Sequence, residues 1–478
     1  MTSRSPTLRA SSDPFGADAE KEGALNNGQQ ATRRSSFKET FRRRSEHQNA
    51  DPFGEEGDED GVKYRTLKWW QCSMIMIAET ISLGILSLPS VLATIGMVPG
   101  AILILSLGTV ATYSGYVIGQ FKSAYPWVHN MADAGHVLFE PLGPRWARFG
   151  REFLGAAQTI FLVFSMASHI LTWTICLSTL TNGATCTIAW GVVGLVLFWL
   201  FDVPRTLLKV SWLSCVSFVS IVTAVLITMA GVGARNPSQG HYHATQTASF
   251  ATAFLSVTNI VFAYAGHVAF FSFISEMRNP KDFPKALVLL QVTDTGMYFL
   301  VAMVVYAYGG DDVPSPALGA AGKTLGKVAW GLAIPTIIIA GVIYGHVASK
   351  YIYVRLFRGT KHMSKRTPLA VGSWLVITLT LWVIAWIIAE SIPNFNDLLS
   401  LISSLFASWF TYGISGIFWI FLNRGQYSKN WKKMCLTVVN VGLVGMGLGI
   451  CGMGLYASGY SIHNQASGSS WSCQSNAE

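Results

Sequence analysis

Charge is scarce in this chain. Of its 478 residues only 12% are Asp, Glu, Lys or Arg, while 51% are hydrophobic. No soluble core of this size needs so much apolar sequence, so the chain reads as an integral membrane protein. It has no CxxC or HExxH spacing and no Walker A loop, which leaves nothing to indicate a metal site or a P-loop ATPase. Its near-sequon, Asn236-Pro237-Ser238, is blocked by proline. The first 66 residues lack the apolar stretch of a signal peptide, so the first apolar run must itself direct insertion.

What is abundant is apolar runs of about 20 residues, the length that crosses a bilayer. Eleven are predicted, at roughly 71–95, 98–120, 152–178, 186–203, 210–233, 250–275, 287–308, 329–350, 370–391, 397–422 and 435–457. The net charge of +9 is accounted for by topology and calls for no nucleic-acid partner. Of 34 Lys and Arg, 12 precede span 1 and 19 fall in alternate connections, leaving Arg235, Lys323 and Lys327 for the other face. By the positive-inside rule the N-terminus is expected in the cytoplasm. An odd span count then puts 459–478, which holds no Lys or Arg, on the opposite side. The expected organisation is a disordered cytoplasmic tail at 1–66, a transmembrane domain at 67–458 and an external tail at 459–478. The basic cluster 33–45 contains Ser35 and Ser36, where phosphorylation would weaken contact with anionic lipid. The tail is thus open to a kinase or a ubiquitin ligase, or it is simply a solvated tail that enforces orientation. Cys72, Cys176, Cys215, Cys435 and Cys451 read as packing residues, whereas Cys186 and Cys473 share the outer face, where a disulfide is conceivable.

Two runs carry features that a passive membrane helix does not need. Span 1 contains Glu79, Gly84 and Pro89, and a carboxylate near the bilayer centre costs at least about 2.5 kcal/mol unless it faces a polar cavity or a partner. Span 6 contains Ala263-Tyr264-Ala265-Gly266-His267 near its middle and Glu276 at its end. Two interrupted helices at matching positions of two halves point to a transporter site. The simpler reading of span 1 is a proline-kinked packing helix with a buried, paired Glu. With five spans per half, the halves would have opposite membrane orientations, although no residue-level identity between them is visible. Span 11 would be an appendage whose glycines offer a packing face.

The segment AYAGHVAFFSFISEMRNPKDFPK (263–285), with GILSLP (84–89) and IPNFNDLLSLISSLFAS (392–408), resembles the amino acid/auxin permease family, a branch of the amino acid, polyamine and organocation superfamily. The form AETISLGILSLPS is most similar to fungal neutral amino acid permeases. The resemblance implies an all-α membrane protein of about eleven transmembrane helices: a 5+5 inverted repeat with broken helices 1 and 6, plus one extra C-terminal helix. It further implies proton-coupled uptake of neutral L-amino acids, with the proton as coupling ion and no cofactor, and it favours the plasma membrane over the vacuole.

An amino acid presents a carboxylate, an ammonium and a side chain. Freed N–H groups around Ser82, Leu83 and Gly84 could hold the carboxylate, and freed carbonyls around Ala263, Tyr264, Ala265 and Gly266 could accept from the ammonium. Leu83 departs from the family, which usually has a small residue there. Tyr264, Phe270 and Ile338 are candidates for the side-chain pocket, or they simply pack. Glu79 and His267 are the candidates for proton coupling, since a carboxyl in a membrane interior and an imidazole can both exchange a proton. His267 could equally be a fixed hydrogen-bond donor bracing the break. Asp294 is a relay or a plain cap, Glu276 a gate or loop anchor, and His169 and His346 read as structural. Sodium sites need oxygen ligands, and no Ser or Thr lies between Thr336 and Ser349 of span 8. A sodium-coupled or vacuolar transporter and a nutrient receptor on the same scaffold remain alternatives. Pore loops for a channel and a nucleophile motif for an enzyme are both lacking.

Overall fold

The computed structural model describes residues 65–464 and 470–473, apart from 206, 359, 361, 364 and 366. The basic cluster with Ser35 and Ser36 therefore lies outside the described residues, as does any regulation through it.

Among the described residues all long elements are helices. Nine are long and apolar enough to cross a membrane: Trp69–Ile95 (span 1), Met97–Ala124 (span 2), Pro144–Thr181 (span 3), Val210–Arg235 (span 5), Pro280–Gly309 (span 7), Lys323–Phe357 (span 8), Pro368–Ser391 (span 9), Phe395–Leu422 (span 10) and Trp431–Asn464 (span 11). Phe250–Ala263 and Ala265–Glu276 form a tenth, span 6, bent by 41°. Thr187–Phe201 takes the place of span 4 with only 15 residues, about 22 Å at 1.5 Å per residue. The connection before span 3 holds a further helix, Met131–Phe139, whose first turn is capped by Asn130 accepting from Asp133 N–H at 2.8 Å.

Span 1 is the central element, with 94% of its apolar window buried, against 22% for span 11. It packs on spans 5, 6, 7 and 8. Just before it, Leu67 pairs with Met277 in a parallel bridge, tying the entrance of span 1 to the exit of span 6. At the opposite face the chain after span 11 returns to spans 4 and 9. Cys473 is disulfide-bonded to Cys186, Ser472 O accepts from the Thr187 hydroxyl, and Trp471 N–H donates to Glu390 O.

One expectation is corrected. Span 1 is not broken: it runs as a single α-helix through Ser82, Leu83, Gly84 and Pro89. Its own hydroxyls meet the carbonyls around the proline, Ser87 donating to Gly84 O at 3.0 Å and Ser90 to Ser87 O at 2.8 Å. Gly84 serves contact instead of unwinding, because a Cβ there would lie 2.6 Å from Ala263 Cα.

Span 6 does break. The α-helix ends at Ala263, Tyr264 leaves helical geometry, and a 3₁₀ turn spans Ala265–Ala269 before helix resumes at Phe270. Span 10 has an interruption that was not expected, a π-helical stretch from Ser403 to Gly413 packed against the span 6 break. Wide turns of this kind are frequent at functional sites.

Candidate functional site

The break in span 6 frees carbonyls at membrane depth, and such groups need partners. Tyr298 of span 7 donates its hydroxyl to Ala263 O at 2.8 Å. Tyr264 O faces His267 Nδ1 at 3.1 Å, and His267 Nε2 lies 2.8 Å from Ala111 O of span 2. Both ring nitrogens therefore face acceptors. A neutral imidazole can donate from only one of them, so both contacts are hydrogen bonds only when the ring carries its second proton. His267 braces the break against span 2 in either state, and its ring also lies 4.5 Å from that of Phe270.

Glu79 lacks such a match. Its side chain is buried, and neither carboxyl oxygen has a hydrogen-bond partner among the described residues. It points at the break, since a Cβ on Gly266 would sit 3.3 Å from Glu79 Oε2 and 2.8 Å from Thr80 Cγ2. An isolated ionised carboxylate in such a place is far costlier than a neutral acid. Tyr344 of span 8 places its hydroxyl 3.5 Å from Glu79 O.

Next to it, Thr80 joins span 1 to span 7. Its Oγ lies 2.6 Å from Asp294 Oδ2 and 2.9 Å from Met76 O. One hydroxyl proton cannot serve both acceptors. If Asp294 is protonated it donates to Thr80, which in turn donates to Met76 O, and both of these contacts are met. If Asp294 is ionised, Thr80 must turn to it and leave the carbonyl. The Thr80–Asp294 contact thus has two arrangements that differ by one proton.

The remaining predicted residues are distributed unevenly. Ser82 Oγ lies 3.3 Å from His169 Nε2, whose Nδ1 bonds Ser165 O at 2.8 Å. His169, read from sequence as structural, is a direct neighbour of the predicted site residue Ser82. Leu83 is buried in the apolar core. Tyr264 turns its hydroxyl away from the break, donating to Ile104 O at 3.0 Å. Ala265 and Gly266 lie in the 3₁₀ turn. Glu276 is apart from all of these, at the C-terminal end of span 6, in a buried ion pair with Lys350 of span 8. Thr80, Tyr298, Tyr344 and the π-helical stretch of span 10 were missed. For Tyr298 a signal existed, since it follows Asp294 by four residues on one helix face; for Tyr344 and the π-helix there was none.

The geometry joins a broken helix, an unpartnered carboxyl and a second buried carboxyl around backbone contacts between two central spans. The model of the family described as transmembrane amino acid transporter protein matches residues 65–459. Among curated relatives, an N amino acid transport system protein from Neurospora crassa is 37% identical over 405 residues, covering 82% of this chain and 85% of that one. A transmembrane transporter from Gibberella moniliformis is 32% identical over 371 residues, covering 76% and 77%. Among solved structures, MhsT in complex with L-phenylalanine has a similar fold, with a TM-score of 0.51 at 12% identity over 84% of this chain and 99% of that one. That likeness shows the fold alone, an inverted-repeat transporter architecture. This chain belongs to the transmembrane amino acid transporter family, a family of membrane carriers and not of enzymes.

Proposed function

We propose that this protein is a proton-coupled symporter of neutral amino acids that works by alternating access, with its N-terminus in the cytoplasm and the plasma membrane as its site. The observation that carries the reading is the Glu79 carboxyl, buried, without a hydrogen-bond partner among the described residues, and aimed at the span 6 break. A group so placed gains by binding a proton in the closed arrangement and by losing it when water reaches it. The Thr80–Asp294 contact responds to a proton in the same region, and His267 offers a third exchangeable one.

Substrate binding requires spans 1 and 6 to part. With Gly84 packed on Ala263 and the span 1 amides held in a continuous helix, the N–H groups near Ser82, Leu83 and Gly84 become available to a substrate carboxylate only when that helix opens. The ammonium then competes with Tyr298 for Ala263 O and has the carbonyls of Tyr264, Ala265 and Gly266 nearby. Glu79 and Asp294 are assigned to the proton, and the other residues placed around the break bring no Lys or Arg, which suits an uncharged substrate side chain. In span 8 the Thr336 hydroxyl is already given to Ser217 O at 2.6 Å, consistent with coupling to a proton instead of sodium. The driving force suffices: about 2.3 kcal/mol per charge per 100 mV plus about 1.4 kcal/mol per pH unit sustains roughly 500-fold accumulation per proton.

The test is uptake of labelled neutral amino acids into liposomes holding the purified protein, with an acid exterior, with and without sodium. Accumulation driven by the proton gradient alone is expected. A strict sodium requirement would overturn the coupling, and flux of only charged amino acids would overturn the substrate class.

A further inference from the structure

Span 4 is short, and its last turn stays inside the protein. Its C-terminal cap, Asp202, is buried, although Val203, the next residue, is 40% exposed. The Asp202 carboxyl lies between spans 8 and 9. Trp382 Nε1 donates to Asp202 Oδ2 at 3.1 Å, and Trp374 Nε1 donates to Asp202 O at 3.2 Å. Gly345 of span 8 permits the approach, since a Cβ there would sit 2.7 Å from Oδ2. The other carboxyl oxygen, Oδ1, has no hydrogen-bond partner among the described residues. It faces His346 Nδ1 of span 8 at 3.8 Å. The imidazole is buried as well, with the Pro204 backbone and the Trp374 ring beside it.

An acid and a base placed together away from water favour one proton count. With no proton between them, the pair is a carboxylate held by one indole N–H beside a neutral ring, and an isolated buried charge is costly. With one proton the pair is neutral overall, whether the proton sits on Oδ1 or makes an imidazolium beside the carboxylate. With two it is a buried cation. The groups therefore titrate as a unit, and the coupling assigned to Glu79 and Asp294 makes no use of them. Around the pair, among the described residues, the charges are those of Lys350 and Arg205, and span 9 adds indoles. Lys350 follows His346 by four residues on the same face of span 8, about 6 Å along the axis, and acts on the imidazole through space. Its ammonium holds Glu276 of span 6. Arg205, in the connection after span 4, lies 4.6 Å from the centre of the Tyr353 ring and donates to Met363 O at 3.3 Å, and its charge also reaches Lys350.

We infer that Asp202 and His346 form a proton-binding site of their own, reached from the cytoplasmic face past Val203, whose charge sets how firmly Lys350 holds span 8 to span 6. A negative pair draws the Lys350 ammonium toward Asp202 and away from Glu276. A positive pair presses it onto Glu276. Acid on the inner side therefore tightens the contact of spans 6 and 8, and the carrier slows when protons collect on the side to which it delivers them. The inference rests on the cytoplasmic placement of the connection between spans 4 and 5 and on alternating access, both proposed above.

The experiment counts protons first. Purified full-length protein in detergent is titrated between about pH 5 and about pH 8, the range in which histidine changes charge. Asp202→Asn keeps an oxygen to accept from Trp382 and removes the exchangeable proton, so it should release about one proton fewer than the unaltered protein. His346→Gln should lose the same proton, and the double variant no more than either single one. Adding Asp202→Asn to Glu79→Gln should remove that proton again. Equal release by the unaltered protein and Asp202→Asn, at equal melting temperatures, would overturn the site; if Asp202→Asn does not fold, His346→Gln carries the same test. Exchange of labelled neutral amino acid is then measured in liposomes with equal pH on both sides. Asp202→Asn should exchange about tenfold faster than the unaltered protein at about pH 5 and equally fast at about pH 8, an effect within reach of one buried charge a helical turn away. A lost proton with unchanged pH dependence of exchange would overturn the control of the contact. The proton count needs no transport, so failure of the Glu79 reading is told apart from failure of this one.

Discussion

Spans 1 and 6 begin the two halves of the fold, and both carry residues that weaken helices. Span 1 has Gly84 and Pro89, span 6 has Gly266 in its 3₁₀ turn, and only span 6 is interrupted. The difference lies in where the backbone partners come from. In span 6 a tyrosine of span 7 takes Ala263 O, and His267 of span 6 itself meets Tyr264 O while its other ring nitrogen faces Ala111 O of span 2, so contacts to two other helices support the break. In span 1 the side-chain contacts to backbone carbonyls near the proline come from serines of the same helix, and the chain keeps its helical path. A glycine permits a break; contacts to neighbouring helices keep it.

The comparison can be broken most forcefully at the point where the two spans touch. Gly84→Val should cost the most, because even a first added carbon meets Ala263 backbone at 2.6 Å, and overpacking of this kind typically costs about 1–3 kcal/mol or more. The expected result is a lower melting temperature of the purified protein and loss of uptake. Gly266→Ala should be milder, since its new carbon meets the Thr80 methyl and the Glu79 carboxyl, side-chain atoms that can shift. Equal damage from the two would contradict the account of the contact.

The partners can be tested next. Tyr298→Phe leaves Ala263 O without its donor, and an unsatisfied buried acceptor costs about 1–3 kcal/mol. Ser87→Ala removes a local hydroxyl from span 1, where the helix itself remains, and should cost less. Thermal unfolding of the two variants compares them, and a larger loss for Ser87→Ala would place the support for the fold in the wrong span. The smallest effect is expected from Cys473→Ser, whose bond to Cys186 touches neither span. Uptake should be unchanged, and lost coupling in that variant would mean that the link between Cys186 and Cys473 takes part in the cycle.

Much of this was legible before any coordinates. Long apolar runs mark spans without ambiguity, so the helices fall close to where hydropathy puts them, and the motif around Gly266 and His267 led to the break in span 6 and to the family. Span 1 misled because glycine and proline are visible in a sequence while the partners that would sustain a break are not. The link from Ser82 to His169 and that from Glu79 to Tyr344 join residues far apart in the chain, and no local pattern announces them. The helix Met131–Phe139 was hidden by its brevity, and the π-helical stretch of span 10 by its ordinary apolar composition.

The most direct test of the central claim is a comparison of two fluxes in liposomes containing Glu79→Gln. The variant keeps the shape of the side chain and removes its exchangeable proton. If Glu79 couples the proton to the substrate, the variant exchanges amino acid across the membrane yet fails to accumulate it when the exterior is acidified. Accumulation that still follows the imposed pH gradient, at the level of the unaltered protein, would contradict that role.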